Sequence, residues 1–167
     1  MSHIRGKKAL NKTVSTVLAP FGISKAVLSD SYCYMWEKEI VEFSIMSDIE
    51  DDWFNEFINE RFGYEVQHNF VISLLHEVGH HFTYNDVDGS VLAFCSDEKE
   101  RIDVEMEDAD EVRSKELEWQ YFNLPDEIVA TAWAVKFAKE NPEKIEEMWA
   151  TLRKALFKFY EENGLTE

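Results

Sequence analysis

Five consecutive residues carry the clearest chemistry in this chain: His76, Glu77, Val78, Gly79 and His80. They form an HExxH motif. On an α-helix, residues four apart share a face, so the imidazoles of His76 and His80 can reach one metal ion. Neutral imidazole suits zinc. Glu77 projects beside them, where it can hydrogen-bond a water at the metal without ligating it. Gly79 is a poor helix former, costing about 1 kcal/mol against Ala. Its place next to His80 indicates that another segment approaches the helix closely.

A catalytic zinc usually takes three protein ligands and keeps an open position. His81 points about 100° away from His80 around the helix, and His68 lies about 12 Å from His76 along the axis. Both read as ordinary surface or supporting histidines. A downstream carboxylate fits better. Glu127 heads a helical face continued by Ala130, Ala134, Phe137 and Ala138. That face is mostly small and apolar, as a helix packed against Gly79 requires. A carboxylate there needs a partner, and a metal is the obvious one. Its simpler role is to favour the helix N-terminus through the macrodipole. Asp126 is the fallback ligand, whereas Glu116 and Glu118 read as solvated.

The form HExGH on one helix, followed by Glu127, Ala130, Trp133 and Ala134 on a later one, resembles the zincin metallopeptidases in their gluzincin arrangement. The closer resemblance is to the ImmA/IrrE-type metallopeptidases of phages, mobile elements and bacteria. It covers about residues 65–140. It implies hydrolysis of peptide bonds, with Zn2+ held by His76, His80 and Glu127 and with Glu77 as general base. The substrate it implies is a peptide or a specific intracellular protein. A tetrahedral oxyanion needs a second donor besides the metal. Tyr84, His81 and Tyr121 all stay open for that role.

Other elements must position these residues. Val14, Val17 and Leu18 give a short helical pattern that Pro20 and Gly22 end. The alternation from Ile40 to Ile45 reads as a strand with one wet face, and Glu37 to Glu39 as the turn of a hairpin. Residues 49–62 read as a helix with Ile49, Trp53, Phe57 and Phe62 on one side, closed by Gly63. A second helix is expected from about Glu65 to Phe82, with Val71, Leu75, Val78 and Phe82 facing the core. Ser90 to Cys95 reads as a short strand or a loop. Leu124-Pro125-Asp126 starts a further helix, running to about Asn141, and Pro142 opens the last, to about Tyr160. The expected class is α+β: a mostly helical minimal zincin fold with a small antiparallel sheet beside the HExxH helix. A single domain is expected to span residues 1–167.

Composition narrows the function classes. The chain is 45% hydrophobic, with 12 Phe, 6 Tyr and 5 Trp, so it can build a core and is not a disordered acidic tail. The formal net charge of -17 repels phosphate and argues against direct nucleic-acid binding. An anionic membrane surface is disfavoured for the same reason. No run of apolar residues is long enough to span a membrane. Cys33 and Cys95 form no CxxC pair, and no apolar run follows the basic Met1 to Lys12, so a reduced cytoplasmic setting is expected. Residues 97–118 hold 11 acidic and 4 basic side chains. They read as a solvated, salt-bridged helix. The alternative to catalysis is a non-enzymatic acidic interaction protein. It would be a binder of basic partners or a DNA mimic, with a structural or vestigial zinc site.

Overall fold

A computed structural model describes residues 4–45 and 49–165, and for 49–51 the backbone alone. Helix α1 (Lys7–Leu18) buries Leu10, Val14 and Leu18, four residues apart, and a single 3-10 turn at Ala19–Phe21 ends it. Strands β1 (Lys25–Leu28), β2 (Cys33–Met35) and β3 (Ile40–Phe43) follow. Their spatial order is β1-β3-β2. β2 and β3 form the expected hairpin, and Glu39 closes its turn in the left-handed region at φ 53°. The sheet is mixed, however, where an antiparallel one was expected: β3 also runs parallel to β1, with Ala26 opposite Val41. The alternation of a strand sets which face is wet. It says nothing about the direction of a neighbour outside the hairpin.

The two edges of this sheet differ. Along β1, Asn11 and Ser15 of α1 accept the backbone N–H groups of Leu28 and Ala26, each at 2.8 Å. That edge is thereby covered. Among the described residues, β2 pairs only with β3.

Helix α2 (Ile49–Phe62) buries Trp53 and Phe57 and ends at Gly63, whose φ is 60°. The expected role of the Ile49 side chain lies outside the described residues. Helix α3 (Asn69–Thr83) carries the HExxH motif. It begins four residues later than expected, because His68 is extended, with its ring stacked on Trp149 and hydrogen-bonded to Glu146 at 2.8 Å. Every residue from Val71 to Gly79 is buried, so α3 is the central helix and not a surface one. Phe82, expected in the core, is exposed and stacks on Trp133 instead. The helix has left the core by its last turn.

Helix α4 (Gly89–Met106) absorbs the segment Ser90 to Cys95, which was expected to be a strand or loop. The Asp88 carboxylate accepts the Ser90 N–H at 2.8 Å and starts the helix there. A good N-cap outweighs the short apolar run behind it. Helices α5 (Glu111–Phe122), α6 (Pro125–Glu140) and α7 (Pro142–Glu162) complete the chain. α7 buries Ile145, Met148, Leu152, Leu156 and Phe159 at helical spacing. The main core joins α1, the sheet, α2, α3, α6 and α7. A smaller cluster of Cys95, Ile102, Leu117 and Leu124 sits under α4 and α5.

The most extensive helix packing is that of α3 on α6. Gly79 lies against the backbone of Ala130, so that a Cβ at position 79 would meet the Ala130 carbonyl and stand 3.1 Å from its Cα. The expected close approach at Gly79 is present. Gly79→Ala should therefore destabilise the protein by about 1–3 kcal/mol through overpacking, despite the better helix propensity of Ala. Urea unfolding measures it; a neutral or stabilising result would contradict the close contact.

Candidate metal centre

The contact between α3 and α6 brings three of the expected residues together. His76 and His80 project from one side of α3. Glu127, in the first turn of α6, faces them from the other helix. His76 Nε2 stands 2.8 Å from Glu127 Oε2 and 3.2 Å from His80 Nε2. His80 Nε2 stands 3.3 Å from either Glu127 oxygen. These ligand atoms form the group among the described residues that could hold a metal ion. Tetrahedral zinc with bonds of about 2.0–2.1 Å spaces its ligand atoms about 3.3 Å apart. Two of the three separations match, and the third would open by about half an ångström.

The hydrogen bonds around the ligands decide which lone pairs converge. Thr131 Oγ1 donates to the Glu127 carbonyl at 2.9 Å, so its own lone pair accepts from His76 Nδ1, also at 2.9 Å. That fixes His76 with its proton on Nδ1 and its Nε2 lone pair aimed at Glu127. Nε2 of His76, Nε2 of His80 and the Glu127 carboxylate then present three acceptors to one point. One proton can bridge only part of such a set, whereas a divalent cation satisfies all of it. The donor set therefore fits a metal.

Burial would raise the pKa of Glu127, but the charge on His80 and the hydrogen bond from it hold Glu127 well below the usual carboxylate range. Burial opposes a charge on His80, yet the Glu127 carboxylate outweighs it and raises His80 to about 9. Glu77 is buried on the adjacent position of α3, and its carboxylate takes no hydrogen bond from the described residues. Burial raises its pKa, against the pull of His76 and His80. All four residues open onto a cavity of about 600 Å³.

Other expected residues fall as follows. Tyr84 and Tyr121 line the cavity. His81 does not; its Nδ1 pairs with the Tyr34 hydroxyl at 2.6 Å, which ties β2 to α3. Asp126 is next to Glu127 but is engaged by Lys99. Glu116 is exposed and paired with Arg113, as expected. Glu118 lines the cavity and is only half exposed, which corrects its reading as solvated. Cys95 is buried beside Asp126 and is not one of the converging ligand residues. Phe54, read as core, stands with its ring 5.3 Å from that of His76 and walls the site.

Two contributors escaped the sequence reading. Thr131 lies one turn after Glu127 on the same face, and that spacing was its available signal. Lys99 sits in the acidic segment, where nothing in the local pattern separates it from its solvated neighbours. Comparison of the chain with family models, with curated proteins and with solved structures returns no match.

The raised pKa of His80 has a consequence for the metal-free protein. Its charge contributes stability that is fully present below about pH 6.5, the unfolded value, and is lost as pH rises through about 9. The urea midpoint of the metal-free chain should fall between pH 7 and 10. In His80→Gln that portion of the slope should vanish; an unchanged slope would disprove the assignment.

Proposed function

We propose that this chain is a zinc-dependent metallopeptidase of the zincin type, similar to the ImmA/IrrE-type enzymes, acting on a peptide or protein substrate. The observation that carries the reading is the convergence of His76, His80 and Glu127 beside a buried Glu77 that takes no hydrogen bond from the described residues. Zn2+ would be held by those three side chains. When bound, it would lower the pKa of water and polarise a carbonyl. Glu77 accepts the proton of the attacking water and delivers it to the leaving amine. Its raised pKa suits both transfers, since a general base works best near the ambient pH. Thr131 orients the His76 ring for this work. Tyr121 and Tyr84 line the cavity, and either hydroxyl could donate to a developing oxyanion.

A peptide substrate is supported by the sheet. Cys33 and Tyr34, consecutive residues of β2, line the cavity together with the flanking Tyr32 and Trp36. Successive side chains of a strand point to opposite faces, so a strand whose consecutive residues line one cavity presents its edge to it. The edge of β2 can therefore take an extended peptide by main-chain pairing next to Glu77.

Metal analysis of the purified chain should return one zinc per molecule, and a folded chain free of zinc would sink the reading. Glu77→Gln should keep the zinc and lower peptide hydrolysis by about 10²–10⁴-fold. Full biological activity in that variant would favour an acidic binding protein over an enzyme. Removing the hydrogen bond to His76 in Thr131→Val should weaken zinc binding by about 10–100-fold, read by competition with a chelating dye; unaltered affinity would deny Thr131 its orienting role.

A further inference from the structure

Lys99 is the cation that the acidic segment sends inward. From the middle of α4 its Nζ donates to Glu127 Oε1 and to Asp126 Oδ2, each at 2.6 Å, and it lies 5.3 Å from the centre of the Tyr121 ring. The other basic residues of that segment do something different. Arg101 and Arg113 bridge Glu98, Glu105 and Glu116 along the exposed surface of α4 and α5, and Lys115 reaches Glu56. Lys99 alone of these four reaches the candidate metal centre.

The consequence lies in which oxygens Lys99 engages. Glu127 Oε2 is the oxygen close to His76, at 2.8 Å. Oε1 is the other oxygen of the same carboxylate, and Asp126 Oδ2 belongs to the next side chain along. An anionic oxygen close to a divalent cation and without a partner of its own joins the coordination sphere. Glu127 Oε1 is such an oxygen, and Asp126 Oδ2, outside the ligand group as it stands, could become one by a side-chain rotation; either would fill a position that a hydrolytic centre must leave open to water and substrate. Both are hydrogen-bonded to Lys99 instead.

We propose that Lys99 is a positioning residue that keeps the metal centre open: by engaging Glu127 Oε1 and Asp126 Oδ2, it restricts Glu127 to one ligating oxygen and holds Asp126 off the metal. The inference rests on the metal-binding reading above. It differs from a purely structural role for the ion pair in the sign of its effects. Loss of a merely structural contact loosens the site and weakens metal binding. Loss of Lys99 as proposed releases two carboxylate oxygens and removes a neighbouring positive charge, so the metal binds more tightly while turnover falls.

Co2+ is the probe, because its visible absorption weakens as its coordination number rises above four. Three full-length chains are compared: the natural one, Lys99→Met, and Lys99→Arg as the charge-conserving control. Lys99→Met should give a Co2+ centre with clearly weaker visible bands. It should also bind Co2+ at least about tenfold more tightly, since a like charge has left the site. Its peptide hydrolysis should drop, and Lys99→Arg should restore the natural spectrum. Unchanged bands, or weaker Co2+ binding in Lys99→Met, would overturn the proposal. If Lys99→Met does not fold by circular dichroism, Lys99→Gln is measured in the same way against the same criteria. A natural chain that binds no Co2+ would instead overturn the metal-binding reading itself.

Discussion

The contact of α3 with α6 across Gly79 governs the rest of the structure. Because position 79 has no side chain, the Ala130 backbone can lie against α3, and the two helices approach more closely than side-chain packing allows. One turn before Ala130, on the same face, stands Glu127. One residue beyond Gly79 stands His80, and three before it His76. The small residues that let the helices meet therefore set the separation of the ligand atoms. Distances of 2.8–3.3 Å between side chains of different helices follow from a backbone contact and not from any attraction between the ligands.

That geometry carries an electrostatic cost, which the surroundings offset. A carboxylate and two imidazoles are buried together, and an unpartnered buried charge is strongly unfavourable. The first turn of α6 favours Glu127 through the macrodipole. Lys99 reaches it from α4. Thr131 orders one imidazole. In the metal-free state His80 carries the remaining compensation as a proton. Glu77 is left without a hydrogen-bond partner among the described residues and faces the cavity. The division is chemically useful: the groups that could bind a cation are tightly supported, and the group that would move a proton is not.

Much of the local structure was legible in the sequence. Pro125 and Pro142 mark the starts of α6 and α7, Gly63 the end of α2, and the Ile40–Ile45 alternation marks β3, because each rests on a local rule about φ, caps or alternation. The errors lay where local rules compete. Val91 to Phe94 is apolar enough for a strand, but Asp88 caps a helix there. Phe82 continues the core stripe of α3 by spacing, yet the core ends before it. The direction of β3 relative to β1 depends on where the hairpin docks, which no alternation encodes.

The candidate site divides in the same way. His76, Glu77, His80 and Gly79 are legible because a helix of fixed pitch places residues four apart on one face. Glu127 is legible at one remove, through the small-residue face that follows it. The sequence by itself determined this much: a helix that presents two imidazoles and a glutamate, and a second helix able to lie close to it. Only the tertiary structure decided the rest. It brought Lys99 and Phe54 to the ligands from segments that read as solvated helix and as core, and it turned His81 towards Tyr34. It also set Cys33 and Tyr34 of β2 along the cavity while α1 covers the edge of β1. The reason is physical. Periodicity and capping act within a single element, whereas these pairings depend on the packing of several elements at once.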